Sequence, residues 1–211
     1  MAKIEKGGLG MKGKIFNAQE VQGILNGSKV MFREVMKPQI PDNPTSLSGK
    51  CWGDCFFGTK KAGFYYCSVK CPYQYQAGQK IFCKESFFIN SFNERMFKAT
   101  FDYCSKRFSR LKDLYHDKSA KWKPAQHMKQ EQSRLTLLIK EIKVEKLADI
   151  TPFDCVCEGI WDGRNVALGM SGKAVEAFKD NWNATHKKPE EKFKSNPWVW
   201  SILFEVENER N

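Results

Sequence analysis

The chain has 211 residues, of which 41% are hydrophobic, and it carries a formal net charge of +11. No run of 18 apolar residues occurs, which excludes a membrane-spanning helix, and the first residues lack the apolar core of a signal peptide. We therefore expect a cytoplasmic protein with a polyanionic partner, and a surface rich in solubilising lysines is the alternative. Residues 1–13 are rich in Gly and Lys and are expected to form a flexible basic arm. The length predicts a single domain over 14–211, and its cysteines indicate a Cys-rich insertion over 50–72.

Short elements begin the domain. A strand is expected over 14–16. Asn17 is a helix cap, and the apolar spacing after it predicts a helix over 18–25. A second strand over 29–35 follows an Asn-Gly turn.

Two pairs of cysteines lie after a Pro-rich loop. Cys51 and Cys55 form the first pair, Cys67 and Cys71 form the second, and 56–66 between them is typical of a hairpin. Four thiolates flanking a hairpin are a suitable tetrahedral set for Zn²⁺, and four buried apolar thiols are the alternative. The remaining cysteines are expected in the core: Cys83, Cys104, Cys155 and Cys157.

Two strands and a basic run are predicted next. Residues 81–89 read as a strand, and 96–103 is expected to pair with it. The run 106–123 is rich in Lys and Arg and lacks a clear period. A helical turn or an ordered loop is expected there.

The C-terminal half is organised around a long strand over 134–144. Its apolar residues alternate, and the alternation is expected to slip near Glu141. A helix is predicted over 171–183, followed by a charged linker over 186–195 and a closing strand over 198–206.

A helix start lies between that strand and the next helix. Thr151 can cap a free backbone N–H, Pro152 suits the first helical position, and Asp154 follows three residues after the Thr. Gly159 is expected to end this helix. Glu158 is therefore predicted to lie at the far end of the helix.

Six segments carry a resemblance to a known family. They are LNGSK at 25–29, CPYQYQAGQKIFCKESF at 71–87, WKPAQHM at 122–128, SRLTL at 133–137, the segment from the long strand to Glu158-Gly159, and NPWVWSILFEV at 196–206. In this order the motifs resemble bacteriophage proteins with an ASCH domain. The resemblance implies an α+β fold, namely a PUA-like mixed β-barrel with peripheral helices, from a superfamily rich in RNA-binding proteins.

The same resemblance implies a cleft. Lys29, preceded by Gly27-Ser28, matches the family's cleft lysine, and Glu158 matches an acid at the end of the later helix. In relatives that hydrolyse N4-acylated cytidines, a Thr lies three residues after the Lys. Here that residue is Phe32, which has no hydroxyl nucleophile, and Glu34 stands where the family has an Arg. These departures weigh against a hydrolase, and a structural Lys29–Glu158 ion pair is the alternative.

The leading hypothesis is a phage-encoded nucleic-acid-binding protein that binds RNA in preference to DNA. It would use a cleft at Lys29, Arg33 and Glu158. A basic rim would add phosphate and base contacts; its residues are Arg107, Arg110, Lys112, Lys121, Trp122 and Lys123. The alternatives are a hydrolase acting on a modified nucleoside such as N4-acylated cytidine, and a protein-binding module that interferes with a host factor.

Three further side chains are candidates with simpler explanations. His127 lies in one of the family motifs, but a single His is more often structural than a ligand. Trp198 and Trp200 alternate on the closing strand, where they could stack on bases, and we expect at least one of them to face the core.

Metal analysis tests the zinc hypothesis. The native protein, purified without chelators, is expected to contain about one zinc per chain. Replacing Cys67 by Ser should release the metal, because it removes one of four ligands, and Cys83→Ser is the matched control that should retain it. Metal-free native protein would contradict the hypothesis.

Overall fold

The computed structural model of the protein describes residues 11–37, 39, 75–90, 93–107, 121–160 and 171–209. These residues form a mixed α+β structure that divides into two compact units. The first unit comprises Met1–Gln22, Lys80–Leu138 and Val206–Asn211, and the second comprises Gly23–Gln79 and Ile139–Glu205.

The described elements follow in chain order. The strands are β1 (Lys12–Ile15), β2 (Met31–Val35), β3 (Lys80–Lys84), β4 (Phe87–Ile89), β5 (Arg95–Phe97), β6 (Leu135–Lys146) and β7 (Trp198–Glu209). The helices are α1 (Ala18–Leu25), α2 (Lys98–Arg107), α3 (Pro152–Cys157) and α4 (Ser171–Thr185). Short 3-10 turns cover Ala125–His127, Gln130–Gln132, Leu147–Asp149, Pro189–Glu191 and Phe193–Ser195.

The first unit contains two sets of paired strands. β1 pairs in parallel with β3, and β3 pairs antiparallel with the beginning of β6, where Ile81 lies opposite Leu137. β4 and β5 form a separate antiparallel ribbon. Ile81, Phe87, Leu135 and Leu137 are almost completely buried in this unit, so its strands are stabilised by removal of apolar surface from water.

The second unit places helices on a sheet of three neighbouring strands. The remainder of β6 lies beside β7, and β7 pairs antiparallel with β2, where Arg33 lies opposite Ser201. An apolar core joins these strands to α3 and α4; its members are Leu147, Ile150, Cys155, Ala174, Phe178, Trp182 and Val199. This core fixes α3, and hence the residues that follow it, against β2.

The α+β class is confirmed. Among the described residues, no strand pairing closes the sheet into a barrel, since β1 and β2 each have one neighbour. No described helix is long and apolar enough to cross a membrane.

Locally specified elements agree with the sequence. The predicted helix over 18–25 has the same bounds as α1, and Asn17 caps it by accepting a hydrogen bond from the Glu20 N–H at 2.9 Å. The slip of phase in β6 is also present. Alternate residues are buried up to Ile139, and then Lys140 and Glu141 are both exposed.

The predicted strand over 81–89 is wrong in its continuity. It is broken after Lys84, because β3 pairs with β6 whereas Phe87–Ile89 pairs with β5 in a separate ribbon, and the buried Glu85 between them forms an ion pair with Arg134. The segment 96–103 was expected to pair along its length, but only its first residues continue β5, and α2 begins at Lys98. Lys98 Nζ lies 3.3 Å from Asp102 Oδ1, a spacing that supports a helix and not a strand.

Other boundaries shift by smaller amounts. β1 begins at Lys12, within the segment predicted as an arm, and the linker predicted over 186–195 contains two 3-10 turns. Lys106 and Arg107 end α2. The rest of the basic run up to 120, and the Cys-rich insertion over 50–72, lie outside the described residues.

The register of β6 can be tested with adjacent leucines. Leu137 is fully buried and Leu138 is half-buried on the opposite face. Leu137→Ala should lower the free energy of unfolding in urea by about 2–5 kcal/mol, because it leaves a cavity. Leu138→Ala is the matched control and should cost less than about 2 kcal/mol. Equal losses would show that the assigned register is wrong.

Candidate functional site

Helix α3 carries Glu158 to its position in the second unit. Thr151 Oγ1 accepts a hydrogen bond from the Asp154 N–H at 3.1 Å, and Asp154 Oδ2 accepts one from the Thr151 N–H at 2.9 Å. This reciprocal cap fixes the first turn. Glu158 follows the last helical residue, and Gly159 ends the helix with a φ of 70°. The predicted helix start and end are both confirmed.

A backbone contact holds Lys29 beside Glu158. The two residues form an isolated antiparallel bridge, and the Val30 N–H donates to the Cys157 carbonyl at 2.8 Å. A Cβ on Gly159 would lie 3.0 Å from the Lys29 Cβ. Gly159 is therefore required twice, by its backbone conformation and by this close approach.

Lys29 and Glu158 are both buried. Lys29 Nζ donates a hydrogen bond to the Glu158 carbonyl oxygen at 3.2 Å and lies 3.5 Å from Glu158 Oε2. The Lys29 ammonium group thus forms a hydrogen bond with the carbonyl group at the C-terminal end of α3 and an ion pair with the Glu158 carboxylate. This geometry agrees with the structural ion pair that was the alternative interpretation of the two residues.

Arg33 makes the shortest contact with Glu158. Its Nη1 donates to Glu158 Oε1 at 2.7 Å, and its Nε donates to Glu145 Oε1 at 2.9 Å. Arg33 Nη2 lies 2.7 Å from the same Glu145 oxygen and 3.3 Å from Asp154 Oδ2, within ion-pair distance but without hydrogen-bond geometry. The guanidinium carbon also lies 5.8 Å from the centre of the Phe178 ring.

The pKa of Arg33 reflects two opposing causes. Burial acts to lower the pKa, whereas the negative charges of Glu158, Glu145 and Asp154 act to raise it, and the pKa is raised overall. Arg33 consequently keeps its positive charge. The positive charge of Arg33 is neutralised by these three carboxylates, which belong to the same unit.

These residues form what we call the ion cluster: Lys29, Arg33, Glu145, Asp154 and Glu158. It holds two cations and three carboxylates, so its formal charge is −1. The structure therefore brings together the three residues predicted to line a cleft, and it adds two acids. A phosphate approaching this cluster would meet cations that are already neutralised.

Phe32 faces away from the ion cluster. Its ring is buried and packs against Phe204 at 5.9 Å and Tyr75 at 6.5 Å between centroids. Alternation along β2 sends Phe32 and Arg33 to opposite faces. Glu34 lies on the face of Phe32 and is half-buried.

The cysteines next to Glu158 are poor nucleophiles. Cys155 is fully buried, and burial raises the pKa of its thiol to about 11. Burial also raises the pKa of Cys157. A nucleophilic cysteine needs a lowered pKa, because the thiolate is the reactive form. Cys83 is buried as expected, while Cys104 and Cys157 are only half-buried.

Part of the basic rim lies in the first unit. Trp122 is half-buried, and its ring meets Phe88 and Phe101 edge-on at centroid distances of 4.7 and 5.7 Å. Lys121 and Lys123 on either side are exposed. Arg107 is described only as the last residue of α2, and Arg110 and Lys112 lie outside the described residues.

The other candidates take simple positions. His127 is exposed, and its Nε2 lies 3.2 Å from Gln126 Nε2. Trp200 is buried, as expected for one of the two tryptophans, and Lys146 Nζ lies 4.8 Å from the centre of the half-buried Trp198 ring. Within the described ranges no group of His, Cys, Asp and Glu could hold a metal. The four cysteines predicted to bind zinc lie outside those ranges, so the zinc site stays a prediction.

Two members of the ion cluster were not predicted. Asp154 was recognised only as a helix cap, and its second role could be inferred only from the position of Arg33. Glu145 follows the slip in β6, which puts a charged residue on a half-buried face. An acid at such a position, with an Arg on β2, which is separated from β6 by β7, is the signal that was available.

Comparisons with models of protein families, with curated proteins and with solved structures find no match.

The buried character of the ion cluster gives a stability test. Arg33→Met should lower the free energy of unfolding by about 3–5 kcal/mol, because it leaves buried carboxylates without their cation. Arg33→Met combined with Glu158→Gln should cost less than the sum of the single changes. Urea unfolding measures all three variants.

A matched control uses an exposed ion pair of the same unit. Lys140 Nζ lies 3.0 Å from Glu205 Oε1, and both side chains are about half exposed. Lys140→Met should cost no more than about 1 kcal/mol, because water screens the pair. If Arg33→Met costs as little as the control, the ion cluster does not stabilise the fold.

Proposed function

We propose that the protein is a phage-encoded nucleic-acid-binding protein with a PUA-like fold, which binds RNA in preference to DNA in the host cytoplasm. Two observations from the sequence support the proposal. The chain resembles bacteriophage ASCH-domain proteins through six segments, and its net charge of +11 favours a polyanionic partner. The described α+β structure is compatible with this family.

The observation that carries the proposal is the arrangement around Trp122. Two exposed lysines, Lys121 and Lys123, precede and follow Trp122 in the chain, and the Trp122 ring is held edge-on by Phe88 and Phe101. Lys98 Nζ lies 5.4 Å from the centre of the same ring. Cations beside a fixed aromatic ring are the combination with which proteins bind the backbone and bases of single strands.

The ion cluster has a different part in this proposal. Because its cations are buried and compensated by carboxylates, it is suited to hold β2 against α3 and not to bind phosphates. Phosphate contacts are therefore assigned to the exposed lysines of the basic rim. No described contact favours the hydrolase alternative, since the Phe32 ring is part of the core.

Salt dependence tests this assignment. Lys121→Glu with Lys123→Glu should weaken binding to all single-stranded RNA sequences alike, because phosphate contacts carry no sequence information. The slope of log affinity against log salt should flatten by about 0.7 for each phosphate that the variant no longer neutralises. Fluorescence anisotropy of a labelled oligonucleotide across a salt series measures both effects.

The matched control is Lys173→Glu with Lys179→Glu, two exposed lysines of α4 with the same change in charge. This variant should bind RNA more nearly like the parent. If the rim variant binds like the parent at every salt concentration, the basic rim is only a solvated surface. The alternative of a module that binds a host protein would then take first place.

A further inference from the structure

A cavity in the first unit is not part of the ion cluster or of the basic rim. Its volume is about 610 Å³, which lies in the range of sites for small molecules. Residues of the β4–β5 ribbon and of the segment before β6 line it, among them Ile89, Glu94, Arg95, Phe97, Glu131 and Arg134. The walls thus combine aromatic, apolar, cationic and acidic groups.

Arg134 is fixed in the wall of this cavity. Its Nε and Nη2 donate to the two carboxylate oxygens of the buried Glu85 at 2.8 and 3.0 Å, and its Nη1 donates to Thr100 Oγ1 at 2.8 Å. The guanidinium carbon lies 4.2 Å from the centre of the Phe97 ring. A guanidinium has five N–H groups, so two remain after these three contacts with described residues.

The side chains at the opening carry hydrogen-bond acceptors. Glu94 and Glu131 are both exposed. Asn90 Nδ2 donates to Glu94 Oε2 at 2.9 Å, and Lys129 Nζ lies 3.9 Å from Glu131 Oε1. Each carboxylate has two oxygens with several acceptor positions, so both can still receive N–H groups from a ligand.

The chemistry of these walls selects the ligand. A planar ring could lie against the apolar wall of Phe97 and Ile89. Arg134 offers N–H donors, which suit a pair of ring acceptors, while the carboxylates suit ring N–H and amino donors. Guanine carries acceptors at O6 and N7 and donors at N1 and N2, and Arg is the commonest partner of the acceptor pair. Uracil has no amino group, cytosine has no ring N–H beside its amino group, and adenine has a donor in place of O6.

We propose that this cavity binds a guanine base, with Arg134 on the O6 and N7 edge and Glu94 or Glu131 on the N1 and N2 donors. Arg95 is exposed at the opening and can receive a phosphate. The base could belong to a free guanosine nucleotide or to an unpaired guanine in single-stranded RNA. Binding of the free nucleotide does not depend on the function proposed above.

Calorimetric titration with the four nucleoside 5′-monophosphates tests the proposal on the full chain. GMP should bind saturably and about tenfold or more tightly than AMP, CMP or UMP, as expected for one good bidentate pair. Phe97→Leu should weaken GMP binding by removing the ring. Glu94→Gln with Glu131→Gln should abolish the preference for guanine, because an amide offers one acceptor where a carboxylate offers two.

The matched control is Glu176→Gln with Glu190→Gln, two exposed acids of the second unit, which should leave GMP binding unchanged. The two double Glu→Gln variants change only exposed side chains, and thermal unfolding should confirm that both retain the fold. Arg134 itself is not a suitable first target, because its removal would leave the buried Glu85 unpaired.

A second titration distinguishes the two sources of the base. An A-rich hexamer with one central guanine is compared with the all-A hexamer, and GMP is added as competitor. Guanine-dependent binding of the hexamer assigns the site to RNA, and binding of GMP alone assigns it to a free nucleotide. Equal binding of all four mononucleotides, or no saturable binding of GMP and no preference for the guanine hexamer, would overturn the proposal.

This experiment is separable from the test of the basic rim. Changes in the rim should alter the salt dependence for every sequence, whereas changes in the cavity should alter the preference for guanine at constant salt. If the prediction for the basic rim fails, the preference of the cavity for guanine can still be measured, and the reverse also holds.

Discussion

The contact between Arg33 and Glu158 is the constraint on which the second unit depends. Both side chains are buried, and two charges removed from water are stable only while each has its partner in good geometry. That requirement explains the features around them. The reciprocal cap places α3, Gly159 allows Lys29 to approach, and the core of α3 and α4 excludes water from the pair.

The first unit also contains a buried ion pair, formed by different residues. Arg134 pairs with the buried Glu85 through two hydrogen bonds, and its guanidinium lies over Phe97, just as that of Arg33 lies near Phe178. Each unit therefore holds one arginine between a carboxylate and an aromatic ring. Because these two cations are neutralised by carboxylates of their own unit, neither of them contributes to the excess positive charge of the chain.

The sequence was sufficient where the determinants are local. Asn17 and Thr151 indicate helix starts through their own amide or hydroxyl groups, and the slip in β6 is visible in the order of its apolar residues. It was insufficient where a partner is remote. Glu85 interrupts an apolar run, and the reason is Arg134, 49 residues later. The membership of Glu145 in the ion cluster likewise depends on the pairing of distant strands, which no local pattern encodes.

The glycine positions differ in which substitutions they tolerate. Gly27 and Gly78 have positive φ values but open space where a Cβ would be, so Asn, which accepts a left-handed backbone, is an acceptable replacement at both. Gly159 has the same kind of backbone and no such space. Position 159 should therefore admit glycine alone, so a library of variants selected for folding should keep it unchanged while positions 27 and 78 vary.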